Sequence, residues 1–300
     1  MKVLISDPID KEGVEILKKA GLEVIEKPGL PPDELVKAIP EFDAIIVRSA
    51  TKVTKEVIEA GKNLKAIGRA GVGLDNVDAE AAKAKNIKVM NTPAATSVSV
   101  AELALGMMLS SARNLVQGTV TLREGKWEKK KFHGFELYGK TLGIIGIGRI
   151  GTELAKRAKA MGMKVIAYDP YVKSSDIGEL VDLNAVLTQS DFISIHTPKT
   201  AETKYILNKD AFAKMKNGVV IVNCARGGVI DESALYDALV SGKVKAAGID
   251  VFETEPVKDN RLLTLENVVA TPHIGAQTEE GQRRAGVGIA ELVRDALVKR

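Results

Sequence analysis

Short apolar runs rich in valine and isoleucine alternate with stretches of helical periodicity almost from end to end of this chain. The predicted strands are Val3–Ser6, Glu23–Glu26, Ala44–Arg48, Lys65–Gly68 and Lys88–Met90. After a long helical interval come Thr141–Ile145, Lys164–Tyr168, Phe192–His196, Val219–Asn223, Ala246–Asp250 and Val268–Ala270. A run that is apolar at successive positions is buried on both faces, and a helix between runs is the crossover that parallel strands require. The pattern predicts an α/β fold with parallel sheets covered by helices. Eleven strands exceed one comfortable open sheet and fall into groups of five and six, so two α/β domains are expected.

Composition narrows the functional class without naming it. The chain has 300 residues, 45% hydrophobic, enough for substantial cores. Lysine and arginine total 43 against 39 acidic residues, and a net charge of +4 is too slight for a nucleic-acid binder. One cysteine, Cys224, and three histidines exclude an intramolecular disulfide and four-cysteine or Cys₂His₂ zinc sites. The first apolar run is cut by Ser6 and Asp7, too short for a signal peptide. Val98–Leu109 contains Glu102 and Gly106 and falls short of the ~20 residues of a membrane span. The expectation is a cytoplasmic protein with no metal, nucleic-acid or membrane partner.

Pro93, after Asn91 and Thr92, ends the last strand of the first group. A long helix follows, with Ser99 and Glu102 spaced as a capping box and Leu103, Met107 and Met108 on one face. Ile289, Leu292, Val293, Ala296 and Leu297 recur at helical spacing and predict a closing amphipathic helix.

The strand Thr141–Ile145 runs into Gly146-Ile147-Gly148-Arg149-Ile150-Gly151, a G-x-G-x-x-G turn opening a helix with Leu154, Ala158 and Met161 on one face. The next strand ends in Asp169, eighteen residues past the last glycine. In that context the motif predicts a dinucleotide site. Gly146 makes the turn, Gly148 admits the pyrophosphate, and Gly151 lets helix and strand pack closely. The helix N-terminus attracts the phosphates. Asp169 would accept the ribose hydroxyls and repel a 2′-phosphate, and Pro170-Tyr171-Val172 supplies no arginine, so NAD is expected over NADP.

A second cluster, Gly68-Arg69-Ala70-Gly71-Val72-Gly73, has the reverse spacing. It reads equally as a plain turn or as a loop whose N–H groups, beside Arg69, bind a small anion. Three strand ends of the second group carry polar loops: Asn223-Cys224-Ala225-Arg226-Gly227-Gly228, Asp250 to Glu255-Pro256, and Thr271-Pro272-His273-Ile274-Gly275-Ala276. Ligands of open α/β sheets bind off these carboxyl ends. Arginine, glutamate and histidine are what oxidation of a 2-hydroxy acid requires: one to fix a carboxylate, one to hold the imidazole's tautomer, one to move the hydroxyl proton. Each also has an ordinary structural reading, and spacing alone does not rank His273 above His196 or His133.

The segments IVRSATKVT (46–54), GRAGVGLDNVD (68–78), MNTP (90–93), GKWEKKKF (125–132), GKTLGIIGIGRIG (139–151), NCARGGVIDE (223–232), DVFETEP (250–256) and TPHIGA (271–276) resemble the D-isomer-specific 2-hydroxyacid dehydrogenase family. The resemblance implies a Rossmann-type doubly wound NAD-binding domain, residues 98–279, and a smaller flavodoxin-like substrate domain split between 1–97 and 280–300. It implies Arg226, Glu255 and His273 as catalytic residues. It assigns NAD contacts to Gly146, Gly148, Arg149, Ile150, Gly151, Asp169, Thr197, Cys224, Ala225, Arg226, Asp250, His273, Ile274, Gly275 and Ala276. The substrate carboxylate would meet Arg226 and the N–H groups of Val72 and Gly73. A phosphate would meet Arg48, with Arg69 and Asn91 nearby. Lys131, in the basic run Lys129-Lys130-Lys131, would reach the phosphate site of a neighbouring subunit across a homodimer built on residues 98–123. A solvated surface stretch is the equal alternative.

The implied activity is NAD-dependent oxidation of D-3-phosphoglycerate to 3-phosphohydroxypyruvate, the first step of serine biosynthesis. The alternatives are a glyoxylate or hydroxypyruvate reductase, or a non-catalytic NAD-sensing protein of the same fold. Longer family members continue into serine-binding domains; this chain ends at Arg300, so serine feedback is not expected.

Overall fold

The computed structural model describes residues 1–298, and the last two positions of the expected closing segment lie outside it. The chain divides into two compact units, Met1–Ser97 with Ala276–Arg300, and Val98–Gly275.

In the first unit the elements alternate as the patterning requires: β1 (Lys2–Ile5), α1 (Lys11–Lys19), β2 (Glu23–Glu26), α2 (Pro32–Ala38), β3 (Ala44–Val47), α3 (Lys55–Ala60), β4 (Ala66–Arg69), α4 (Ala79–Ala84) and β5 (Lys88–Asn91). All pairs are parallel and the order is β2-β1-β3-β4-β5, the flavodoxin-like arrangement. Alternation along a strand sends successive side chains to opposite faces. Val3, Ile5 and Ile46 therefore pack with Leu17, Ile289 and Val293, and Leu4, Ile45 and Val47 with Leu35 and Ile58.

The second unit begins with α5 (Ser97–Arg113) and α6 (Leu115–Arg123), then β6 (Thr141–Ile145), α7 (Arg149–Ala160), β7 (Lys164–Tyr168), β8 (Glu179–Leu180), α8 (Leu183–Gln189) and β9 (Phe192–Ile195). It continues with α9 (Lys209–Lys214), β10 (Val219–Asn223), α10 (Glu232–Val240), β11 (Val244–Ile249) and β12 (Val268–Ala270), and α11 (Glu279–Val298) returns to the first unit. The seven parallel strands run β12-β11-β10-β9-β6-β7-β8, a doubly wound sheet whose order reverses between β6 and β9. Leu142, Ile144, Val220 and Val222 face one core with α5 and α7, while Ile145 and Ile221 face the other.

Several details differ from the sequence-based reading. β8 is a two-residue edge strand with no apolar run to announce it. The long helix breaks at Asn114, which adopts a left-handed φ of 53°, so 98–123 is two helices. α5 starts at Ser97, which places Ser99 inside the helix. Ser99 is therefore not the helix's cap, and the Glu102 carboxylate pairs with Arg157 at 2.9 Å. The chain returns to the first unit at Ala276 instead of 280. Gly275 N–H is tied to Asp250 in the second unit (2.8 Å), whereas the Ala276 carbonyl accepts from Gln282 of α11 (2.6 Å). No helix among the described residues is long and apolar enough to cross a membrane.

Candidate active site

The glycine turn after β6 sits where the strand order reverses. Gly146 has φ +94°, and a Cβ there would press on the His196 backbone at 2.9 Å. A Cβ at Gly151 would collide with the Gly146 carbonyl oxygen, so helix α7 can approach β6 only with glycine at that position. At Gly148 the same construction meets nothing within 4 Å: the backbone faces open room. Gly148 caps α7 without a side chain, which leaves the first-turn N–H groups to a ligand. Arg149 is exposed beside it, and Ile150 is half-buried.

Asp169 is held against this turn. Its carboxylate accepts N–H bonds from Ile147 (3.0 Å), Tyr171 (2.9 Å) and Val172 (3.2 Å), which fixes it at the end of β7. Past β9, the Thr197 hydroxyl and His196 Nδ1 are buried and meet no acceptor or donor among the described residues. Open glycine backbone, an uncapped helix start, an anchored carboxylate and orphaned polar atoms together fit a dinucleotide.

The three polar loops converge at the carboxyl ends of β10, β11 and β12. Asn223 shapes the first: its Oδ1 accepts from Ala225 N–H (3.0 Å) and its Nδ2 donates to the Arg226 carbonyl (3.0 Å). The Arg226 guanidinium donates to the Ala225 carbonyl at 2.7 Å. A Cβ at Gly227 would overlap the Phe252 carbonyl, so the second loop packs directly on the first. Asp250 is 1% exposed and organises the third. Its carboxylate accepts from Thr271 Oγ1 (2.6 Å), Ile274 N–H (2.7 Å) and Gly275 N–H (2.8 Å), and its carbonyl accepts from His273 N–H (2.8 Å). That carboxylate is committed to the loop, so Asp250 bears on any ligand through residues 271–275.

Held this way, His273 takes φ 54°, uncommon for a side-chain-bearing residue and characteristic of functional loops. Its Nδ1 lies 2.8 Å from Glu255 Oε2, while Glu255 Oε1 accepts from Phe252 N–H at 3.0 Å. With Nδ1–H donated to the carboxylate, Nε2 carries the lone pair, and 48% of the side chain is open to solvent. The other imidazoles separate on geometry. Burial pushes His196 down to about 4, which leaves it neutral, with Nε2 on the Ser194 hydroxyl at 2.9 Å. His133 lies beside Lys245 and Asn267, where β11 and β12 begin, not where they end. Burial, then the Asp250 charge, raises the Cys224 thiol, which contacts Met107 Sδ at 3.6 Å; it is no nucleophile.

In the first unit the carboxyl ends of β3, β4 and β5 carry Arg48, Arg69 and Asn91. Buried Asp7, directly past β1, accepts Arg48 N–H (2.6 Å), Thr51 N–H (3.1 Å) and the Thr51 hydroxyl (2.7 Å), so it sets the Arg48 loop. Burial lowers the Arg48 guanidinium somewhat, and it donates to Gln277 at 3.3 Å. A Cβ at Gly71 would displace the Arg69 guanidinium. Asn91 Nδ2 holds the Val72 carbonyl at 2.5 Å, and the N–H groups of Val72 and Gly73 meet no acceptor among the described residues. Lys131 sits 3.3 Å from Glu266 and 3.9 Å from Glu128, both in its own unit. Sequence reasoning gave Asp7 no role in the site and named Asn223 only as part of its loop. Their signal was a polar residue at or just past the end of an apolar strand.

A doubly wound sheet with a dinucleotide turn at its switch point and an imidazole–carboxylate pair at the neighbouring strand ends is a nicotinamide-dependent dehydrogenase arrangement. Residues 105–275 match the model of the D-isomer specific 2-hydroxyacid dehydrogenase NAD-binding domain. The chain is 58% identical over 296 residues to hydroxypyruvate reductase of Thermotoga maritima, covering 97% of each. It is 51% identical over 302 residues to D-3-phosphoglycerate dehydrogenase of Methanocaldococcus jannaschii, covering 99% of this chain and 57% of that one. It thus spans little more than half the length of that relative. The structure superposes on a glyoxylate reductase from Paecilomyes thermophila with a TM-score of 0.92 at 32% identity, covering 100% and 96% of the two chains. The chain belongs to the D-isomer specific 2-hydroxyacid dehydrogenase family. Its cofactor is NAD and its substrates are small hydroxy acids.

Proposed function

We propose that the protein oxidises D-3-phosphoglycerate to 3-phosphohydroxypyruvate with NAD, the D-3-phosphoglycerate dehydrogenase reaction. The supporting observation is the pairing of two guanidiniums, Arg48 and Arg69, with the open N–H groups of Val72 and Gly73 on one end of the first unit's sheet. A substrate carrying both carboxylate and phosphate needs that density of donors. Arg226 orients the C2 oxygen and the carboxylate. His273 Nε2 takes the C2 hydroxyl proton, while Glu255 holds Nδ1–H and balances the imidazolium. Gly146, Gly148, Gly151, Asp169 and Thr197 would hold NAD, which would supply the acceptor for the hydride leaving C2.

Hydroxypyruvate reduction is the second reading, favoured by the full-length 58% relative. Hydroxypyruvate and 3-phosphohydroxypyruvate, the keto acids of the two reactions, differ only by a C3 phosphoryl group, so phosphate recognition separates the readings. Arg48→Ala is expected to raise KM for D-3-phosphoglycerate by roughly 10–150-fold, the worth of one charged hydrogen bond, with kcat little changed. An unaltered KM in steady-state assays contradicts the phospho-substrate reading.

The protein is further proposed to be a cytoplasmic homodimer. Helix α6 buries none of its residues; Leu115, Leu122 and Trp127 stand 55%, 58% and 80% exposed around an apolar groove. Such a surface suits a second copy of this chain. Leu122→Glu is expected to shift the sedimentation mass from dimer to monomer. A parent already monomeric at micromolar concentration refutes this.

A further inference from the structure

We infer that Glu232 and Glu253 form a reciprocal clamp that holds Glu255 against His273, making both of them positioning residues for the dehydrogenase reaction; the inference rests on the role given to His273 above. Neither glutamate belongs to the site as read so far. Glu232 is the first residue of α10, directly after the loop that carries Arg226. Glu253 lies two residues before Glu255.

Each carboxylate accepts the other residue's backbone N–H. Glu232 N–H donates to Glu253 Oε1 at 3.0 Å, and Glu253 N–H donates to Glu232 Oε1 at 2.6 Å. The remaining oxygens are also engaged: Glu232 Oε2 accepts from Asn260 Nδ2 at 2.6 Å, and Glu253 Oε2 from the Tyr205 hydroxyl at 3.1 Å. The pattern is that of a capping box built from two separate segments. Glu253 also places its charge at the start of α10, where the helix dipole favours it.

Two like charges side by side on an exposed turn are a poor way to gain stability, and four donors are needed to keep them there. What the arrangement gains is position. It ties the start of α10 to the 252–255 turn, beside the place where Gly227 packs on the Phe252–Glu253 backbone. The turn is then held by hydrogen bonds as well as by packing, and Glu255 is delivered 2.8 Å from His273 Nδ1. Without the clamp the turn keeps its Phe252–Glu255 bond and its packing on Gly227 but loses its hydrogen-bonded tie to the start of α10.

Glu232→Ala is expected to lower kcat about tenfold, the scale of a sub-ångström misplacement, with substrate KM and NAD affinity within about twofold. Glu232→Gln keeps an oxygen for Glu253 N–H and is expected to restore most of the loss. The pH–kcat profile of Glu232→Ala should move as that of Glu255→Gln does; a lesion elsewhere in the fold would lower its height alone. Imidazole ¹⁵N spectra without cofactor give a second readout. His273 is expected as the Nδ1–H tautomer in the parent and as a mixture in Glu232→Ala. Glu253→Ala, outside α10, repeats both tests should Glu232→Ala fail to fold. Unchanged kcat and an unchanged tautomer in both variants overturn the clamp. A parent inactive on every 2-hydroxy acid whose tautomer still responds to Glu232→Ala sinks the catalytic role of His273 but supports the clamp.

Discussion

His273→Asn is expected to lower kcat by roughly 10²–10⁴-fold, the usual worth of a positioned general base, while NAD affinity stays within about twofold. Asparagine is the informative choice because residue 273 sits at φ 54°, which asparagine tolerates and alanine resists. The backbone N–H of 273 would still donate to the Asp250 carbonyl, so the loop keeps its shape. Only the proton acceptor is lost. Steady-state turnover and an NAD fluorescence titration on the same sample read the two quantities separately. Turnover within about threefold of the parent would move the proton transfer to another group. His196 is the nearest histidine in sequence, and its burial already argues against it.

Asp250→Ala is expected to damage both stability and turnover. The substitution strips the acceptor from Ile274 N–H, Gly275 N–H and the Thr271 hydroxyl, of which the Gly275 bond is buried and the other two are part-buried. The buried Gly275 N–H left without a partner costs on the order of 1–3 kcal/mol, and the other two donors can turn to water, so a loss of about 2 kcal/mol is expected in urea unfolding. kcat should fall at least about tenfold as the His273 loop relaxes. Asp250→Asn is expected to fare little better, because an amide NH₂ would face a backbone N–H. A midpoint shifted by less than the measurement error in both variants would show that other contacts hold the loop.

Those supports mark where sequence stops being informative. The strands were legible because an unbroken Val/Ile run such as Val219–Asn223 is buried on both faces whichever strands flank it. The edge strand Glu179–Leu180 was not, since two residues beside β7 need no apolar run. Ser99 and Glu102 have capping-box spacing, yet Glu102 is drawn to Arg157, fifty-five residues away. Asn114 breaks the 98–123 helix with no glycine or proline to signal it.

In the candidate site, position past apolar strands left Arg226, Glu255 and His273 each an ordinary structural reading, and the family resemblance singled them out. The ranking of His273 over His196 depends on a carboxylate eighteen residues away and on the burial of a different ring. No spacing encodes either. Asp7 and Glu232 act on backbone groups of distant segments, so they look like ordinary loop polarity until the fold brings those segments together. The slight charge excess was likewise uninformative as a total. What matters is that Arg48 and Arg69 share one end of one sheet.

The most direct measurement is steady-state NADH formation across a panel of D-2-hydroxy acids, with D-3-phosphoglycerate and D-glycerate as the decisive pair. The account predicts kcat/KM for D-3-phosphoglycerate at least about tenfold above that for D-glycerate, as one charged hydrogen bond to phosphate requires. Equal values, or a preference for the unphosphorylated acid, would contradict the phosphoglycerate assignment.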